Sequence, residues 1–524
     1  MHALAEVGPA PLGGSQACFE SLRGYLHSPE AMGMRHSDLE RELEARGREL
    51  LRRMLQEHLD WRSPGFARQP VRAADGVARP RQRVHARDLQ SVFGTVQVTR
   101  VGYGAAGTDS LHPLDAELNL APQRYSHELA RRVAEEVAKT SFEETVRSLE
   151  QQTGAPVPKR QVEELARRAA QDFDTFYAQR RVATVPATSA LLVTTMDGKG
   201  VVMRREDLRA PTRQAAQRRV HKLRQRLSKG EKRNAKRMAT VAAVYTIAPV
   251  VRAPEDIVRG LTGLGLGDHA EPPHAPRPRP EHKRVWASVE QSPEQVIEEI
   301  FHEAARRDPG REKTWVALVD GNATQLRLLH QRSTRLGVAL TIVLDIVHVA
   351  QYLWAAALAF HAEGSAEREL WVATRLAEIL RGRASVVAAA MRRSATRRGL
   401  MRAQRKAVDK CAGYLLRHKA YLHYDVYLAA GLPVATGVIE GACRHVVKDR
   451  MDITGARWSL AGAEAVLRLR ALRASGDFDE YWPFHEDQEY RRHHVARYAD
   501  GGVPATETPR RDRNQGRTHL RIAK

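Results

Sequence analysis

Three acidic residues are set apart by their surroundings. Asp197 closes the apolar run 189–196 and precedes Gly198; Asp320 closes 314–319 and precedes Gly321; Glu440 lies on the amphipathic segment GVIEGACRHVVKDRM. A single Asp-Gly is ordinary turn chemistry. Two of them, each closing an apolar strand-like run, together with a Glu on a late helix, make a set of oxygen donors suited to hard cations such as Mg2+. A pair of such ions about 4 Å apart activates a water or a 3′-hydroxyl and stabilises the leaving oxygen of a phosphodiester. A further acid, Asp345, closes the run 338–344 and is followed at i+3 by His348. This D-x-x-H pair reads either as a helix N-cap with a neighbouring histidine or as a pair that shapes the acid site. After Glu440, Arg444 and Lys448 follow at i+4 and i+8, on one face of a regular helix. They form an exposed ion-pair row or phosphate-binding cations beside a metal carboxylate. Arg457 and Trp458, at the entry to the next helix, are candidate DNA contacts, although a tryptophan there also serves as a core anchor.

Acids that act together need a rigid scaffold. Residues 189–196 read as a first strand, 201–203 as a second returning from Asp197-Gly198, and 240–251 as a third. A helix over 293–307, a strand over 314–319, a helix over 324–331 and a strand over 338–344 follow. Ile346, Val349, Leu353 and Ala357 then repeat with the spacing of a buried helical stripe. This β-β-β-α-β-α-β-α order matches the ribonuclease H-like fold. In its strand order, 3-2-1-4-5, the first and fourth strands are neighbours, and their side chains lie about 5 Å apart. Asp320 then stands beside Asp197, Asp345 lies one strand further out, and Glu440 completes the triad from a helix over that edge.

The remainder of the chain points to the partner. It has 524 residues, enough for three or four domains, and 42% are hydrophobic, enough for a sizeable core. Its 84 Lys and Arg against 62 Asp and Glu leave a net charge of +22, which calls for a polyanion, nucleic acid above all. Three cysteines without a C-x-x-C exclude a disulfide framework and a zinc ribbon. No signal peptide is read at the N-terminus. The most apolar stretch, 338–360, is interrupted by Asp345, His348 and Gln351, which excludes a membrane span. The expectation is a cytoplasmic, nucleoid-associated protein without a membrane partner. Residues 39–55 carry an amphipathic helix, and 83–103 read as a hairpin turning at Gly94-Thr95. Two short helices flank a turn with Gly154 and Pro156, the second opening on Lys159 and Arg160. They resemble a helix-turn-helix, or an ordinary helical hairpin. Eleven Lys/Arg and one Glu fill 213–237, including Arg224, Arg226, Lys232 and Arg233. They read as a phosphate clamp or as a solvated helical face.

The expected architecture is therefore an α/β ribonuclease H-like catalytic core with an all-helical insertion, preceded by a mainly helical DNA-binding region with a β-hairpin. The boundaries are 1–112 for the N-terminal helix and hairpin, 113–185 for the helix-turn-helix-like domain and 186–348 for the first part of the core. That part includes the basic insertion 204–238 and the Gly/Pro-rich loop 260–282. The insertion is 349–432, the core resumes over 433–476, and 477–524 is a basic tail, disordered from about 500.

The frames TTMDGKG, ALVDGNATQL, LDIVHVAQYLW and GVIEGACRHVVKDRMDITGARWSLAGAEAVLRLRAL resemble bacterial insertion-sequence transposases of the ISKra type, relatives of the Mutator-like DDE group. The resemblance runs from the FGTVQVTRVGY hairpin to GDFDEYW. It implies DNA strand cleavage and strand transfer of an insertion-sequence element by the triad Asp197, Asp320 and Glu440, which would hold two Mg2+ ions, or Mn2+ in their place. It also implies double-stranded DNA partners, the element's terminal repeats and the target, bound by a homodimer or higher oligomer. The family's C/D-x-x-H element falls on Asp345 and His348, which with Arg444 would support the triad. Its helical insertion falls on 349–430. Two other readings stay open: an inactive or repurposed transposase acting as a sequence-specific DNA-binding protein, and another ribonuclease H-like nuclease.

The basic segment generates a test. Each cation that neutralises a phosphate releases a counterion, so log affinity falls with log salt by about 0.9 per contact. Replacing Arg224, Arg226, Lys232 and Arg233 with Gln is expected to reduce that slope by about 3–4, on any DNA sequence, in anisotropy titrations at increasing salt. An unchanged slope in the folded variant would place these side chains in solvent or against protein.

Overall fold

The computed structural model describes residues 13–180, 191–218, 235–264, 278–453 and 455–508. The chain divides into two compact units, Met1–Phe176 with Asp479–Lys524, and Tyr177–Phe478.

The first unit opens with helices α1 (Gly13–Leu26) and α2 (His36–Arg62), followed by the hairpin β1 (Arg81–Ser91) and β2 (Gly94–Gly104). Ser91 pairs with Gly94, so the hairpin turns at Val92-Phe93, two residues before Gly94-Thr95. Gly94 sits at φ +122°, where a side chain is strained, and opens the second strand. Helices α3 (His127–Lys139), α4 (Phe142–Thr153) and α5 (Lys159–Ala169) follow. Ser141 caps α4 by accepting the Glu144 N–H at 3.1 Å, and Gly154 ends it in the left-handed region. α5 buries Val162, Leu165, Ala166 and Ala169 against its neighbours. The helix pair read from the sequence is therefore present.

Residues 477–508 are not a tail. The helix Phe478–His493 sets Tyr481 edge-on to Phe176, with ring centroids 5.4 Å apart, and its hydroxyl donates to the Ala169 carbonyl at 2.6 Å. His485 Nδ1 lies 2.7 Å from the Asp172 carboxylate. Thr506–Glu507 pairs antiparallel with Phe66–Ala67. The high charge of the segment hid a helix that buries Phe478, Tyr481 and Trp482.

The second unit is mixed α/β. Its sheet contains β3 (Leu191–Val202), β4 (Lys236–Ile247), β5 (Glu281–Ser288), β6 (Thr314–Val319) and β7 (Leu340–Leu344), in the order β5-β4-β3-β6-β7. The first three are antiparallel; β3, β6 and β7 are parallel. By sequence position the order is 3-2-1-4-5, as expected, but two strands were misassigned. β3 does not turn at Asp197-Gly198. It pairs with β4 from Leu191↔Ile247 to Val202↔Lys236, so 201–203 is not a returning strand and 240–251 falls mostly on the second strand, not the third. The third strand is EHKRVWAS, masked in the sequence by its charged first half. The loop expected over 260–282 is shorter at both ends: Pro254–Thr262 is a helix closed by Gly263, and β5 begins at Glu281.

Helix α6 (Pro293–Arg307) precedes β6, and α7 (Ala323–Leu336) joins β6 to β7. After β7 come α8 (Ile346–Ala357), α9 (Ala366–Leu380), α10 (Ala384–Arg397), α11 (Arg402–Arg417) and α12 (Tyr424–Ala429). These helices share one core with a face of the sheet: Val193, Val316, Leu318 and Val343 pack with Leu353, Leu376, Met391 and Cys411. Helix α13 (Gly437–Ala442) continues as a π-helical turn, Cys443–Lys448, and α14 (Leu460–Ser475) lies against β5. Among the described residues no helix is long and apolar enough to cross a membrane.

One buried charge cluster ties β5 to α6. Arg284, 1% exposed, bonds Glu303 at 2.9 Å and Glu299 at 2.5 Å, and Glu303 also bonds Arg307 at 2.7 Å. Burial alone would push the Glu303 carboxyl up, but Arg284, Arg307 and Arg306 outweigh it and hold it at about 2. Because the folded value is depressed, this stabilisation is present above the ordinary value of 4.5 and is lost as pH falls from there towards 2. Glu303→Ala leaves the arginines uncompensated and is expected to cost about 3–5 kcal/mol at neutral pH, read as a lower urea midpoint. The gap from wild type should narrow as the pH falls below 4.5. Equal midpoints at pH 7 would contradict this account.

Candidate active site

Strand register sets the acids in a row. Across the parallel pair β3/β6, Val193 stands opposite Val316 and Thr195 opposite Leu318. Across β6/β7, Leu318 stands opposite Val343 and Val319 opposite Leu344, and the Asp345 N–H still donates to the Val319 carbonyl at 2.9 Å. Side chains alternate with period two, so two residues further on Asp197, Asp320 and Asp345 fall on one face, Asp320 and Asp345 just past the ends of β6 and β7 and Asp197 within the longer β3. At about 4.8 Å per strand the row spans about 10 Å. Val193, Val316, Leu318 and Val343 point to that same face, inside the core shared with α8–α12. The acids are its rim.

Glu440 joins the row from above. The helix that bears it packs on β3 and β4, and the π turn after it contacts β3. A π turn holds an extra residue per turn. Within it Cys443 is buried, and its Sγ donates to Asp197 Oδ2 at 3.3 Å. Burial and the charges of Asp345 and Asp197 raise the Glu440 carboxyl above its ordinary value. The structure thus brings Glu440 into the field of Asp197 and Asp345. Asp320, in the middle of the row, accepts the Asn322 N–H at 2.9 Å through Oδ1, and its carbonyl accepts the Tyr414 hydroxyl at 2.9 Å.

Asp345 is a helix N-cap and a link as well. It is 6% exposed; Oδ1 accepts the Val347 N–H at 2.9 Å, and Oδ2 accepts the Thr436 hydroxyl, four residues before Glu440. The Ile346 N–H donates to the Val434 carbonyl at 2.9 Å, closing the same junction. Burial raises the Asp345 carboxyl against the pull of Thr436, Val347 and His348. His348 is half-buried, edge-on to Tyr352 and Tyr414.

The donor set fits a hard divalent cation in kind. It is all carboxylate, clustered closely enough for mutual repulsion to raise Glu440. It is not gathered on one point: Gly198 N and Cys443 hold Asp197, Asn322 N holds Asp320, and Thr436 with Val347 hold Asp345. Accordingly, no three His, Cys, Asp or Glu side chains among the described residues converge on a metal position. Holding an ion there requires carboxylates to rotate off these local donors.

Several proposed contacts stand elsewhere. Arg444 pairs with Asp449 at 3.8 Å and touches none of the acids. The π turn breaks the regular spacing that would have stacked Glu440, Arg444 and Lys448; all three are exposed. Trp458 cannot meet DNA. It is 5% exposed, its Nε1 donates to the Met451 carbonyl at 3.1 Å, and its backbone bonds both Val202 and Arg204. Arg457 beside it is exposed. In the first unit Lys159 is exposed but paired with Glu143 at 2.7 Å, and Arg160 is exposed. Arg224, Arg226, Lys232 and Arg233 lie outside the described residues.

Residues around the acids that escaped the sequence reading are Lys199, Thr436, Cys443 and Tyr414. Lys199 follows Asp197 by two, on the same strand face, and acts electrostatically on Cys443. Its place became legible only once the strand ran unbroken through Gly198. No protein-family profile matches the chain, and no curated protein matches it.

The charge coupling is measurable. Removing a neighbouring negative charge eases ionisation of Glu440, so Asp345→Asn and Asp197→Asn are each expected to lower its pKa, followed by NMR of side-chain 13C-labelled Glu. A Glu440 titration indifferent to both substitutions would contradict the coupling.

Proposed function

We propose that the chain is a DNA transposase that cleaves and transfers DNA strands at the Asp197–Asp320–Glu440 edge of a ribonuclease H-like core. The register carries the reading: three adjacent parallel strands carry Asp at one level of one face, and a helix lays a fourth carboxylate beside them. The sheet order β5-β4-β3-β6-β7, antiparallel then parallel, supports the ribonuclease H-like assignment. The charge of +22 supports double-stranded DNA as substrate, and the α4–α5 pair supports recognition of the element's ends.

Asp320 rather than Asp345 is the second acid of the triad. Asp345 is buried, both its oxygens are engaged, and its carboxyl is raised, so it is the poorer ionic donor. Asp320 is half-buried and has an oxygen without a partner among the described residues. Asp197, Asp320 and Glu440 would hold Mg2+, which when bound lowers the pKa of a coordinated hydroxyl or water and offsets charge on the leaving oxygen. The chain's own groups position these ligands. Cys443 orients Asp197, Tyr414 pins the Asp320 backbone, and the Asp345–Thr436 bond fixes the segment leading to Glu440. Lys199 places a cation on the Asp197 strand face for a phosphate.

Asp197→Ala, Asp320→Ala and Glu440→Ala are each expected to abolish Mg2+-dependent nicking of end DNA on a gel while end binding persists. Asp345→Asn is expected to retain partial cleavage. Activity surviving in Asp320→Ala but lost in Asp345→Asn would move the second acid to Asp345. Wild-type protein that binds the ends but cuts nothing with Mg2+ or Mn2+ would leave a DNA-binding protein only.

A further inference from the structure

The helical hairpin of residues 13–62 leaves its apolar residues uncovered. Helices α1 and α2 are anchored at two places. Glu57 accepts the N–H groups of Gly14 at 3.0 Å and Ser15 at 2.6 Å, and Arg46 lies 3.8 Å from the Tyr25 ring centroid. Between residues 14 and 62 only Ala31 and Leu59 are buried apolar side chains. Leu59, with Leu55 beside it, packs on the hairpin residues Leu89, Val96 and Val98. A different face of α2 carries Leu43, Leu51, Met54 and Trp61, exposed by 40, 46, 51 and 60%. At 3.6 residues per turn these four fall within about 80° of arc, a continuous seam along the helix. On α1, Phe19 is 46% exposed, and the two anchors set it about level with Leu51 and Met54. An apolar cleft of about 500 Å3 adjoins the seam, lined in part by Leu55, His58, Val92 and Phe93.

The charge on α2 argues for the occupant. Its 27 residues hold seven Asp/Glu and six Arg, so the helix carries a net charge of −1 in a chain of +22. Most are paired along it, Arg41 with Asp38, Arg46 with Glu42, Arg48 with Glu44 and Arg52 with Glu49. Such a surface offers nothing to a polyanion. Nearly balanced and interspersed charges around an apolar seam suit an identical surface, since a two-fold axis sets each patch against its own copy. We infer that this face is a self-association surface: two copies of the α1–α2 hairpin join as a four-helix arrangement that covers Phe19, Leu43, Leu51, Met54 and Trp61. The longer helix is about 40 Å and the shorter about 20 Å long, each about 10 Å wide, so the face offers about 600 Å2 per copy, the lower end of a standard interface half. This assignment is independent of the catalytic reading and survives or fails without it.

Sedimentation equilibrium of the full chain, nuclease-treated and at high salt, tests it. The wild type is expected at twice the 58.7 kDa chain mass. Leu51→Glu with Met54→Glu is expected to raise the dimer dissociation constant at least about 100-fold, with unchanged helical circular dichroism, because both positions are exposed and Glu is a good helix former. Leu43→Glu alone should weaken the dimer in the same direction. A wild type that stays monomeric at all concentrations overturns the inference. So does a dimer unaffected by all three substitutions, which would place the contact on another face.

Discussion

The parallel register of β3, β6 and β7 is the constraint on which the site depends. Alternation has period two, so a slip of one residue would turn Asp197, Asp320 or Asp345 from the helix-covered face to the opposite one. The buried residues upstream forbid that slip. Val193, Val316, Leu318 and Val343 are each fully buried in the core shared with α8–α12. Packing energy several residues away from the acids therefore decides where the acids stand. The helices after β7 are part of this device, because they cover the face whose rim is acidic.

A second constraint couples that rim to Glu440. Placing like charges together costs energy, and the raised Glu440 and Asp345 carboxyls are the mark of it. The fold offsets the cost with directed bonds. Asp345 takes the Thr436 hydroxyl, and Asp197 takes the thiol of Cys443, the first residue of the π turn. Such departures from regular helix geometry and from charge balance concentrate where a chain is shaped for chemistry rather than for stability alone.

How much of this was legible follows from which signals are local. The acids were visible because each ends an apolar run, and the neighbouring relation of Asp197 and Asp320 followed from strand order. The extent of β3 was not, because Asp-Gly-Lys-Gly is turn-like in composition, while the pairing of β3 with β4 along its whole length overrides that preference. EHKRVWAS was missed for a related reason. Arg284 is buried only because Glu299 and Glu303 arrive from a helix that follows later in the chain. Trp458 was offered two roles, and its buried indole, bonded to Met451, takes the core one. Arg444 was placed by regular helix spacing, which the π turn abolishes. Long-range pairing decided the two strands, and a local helix irregularity decided Arg444.

The central claim is that Asp197, Asp320 and Glu440 form one cation-binding edge. Replacing Mg2+ with Fe2+ and adding ascorbate and peroxide generates hydroxyl radicals at the bound ion, which cut the nearby polypeptide. The account predicts cuts clustered around residues 197, 320 and 440, suppressed by excess Mg2+ and absent in Glu440→Ala. Cuts confined to other segments, or a pattern indifferent to Mg2+ and to Glu440, would contradict it.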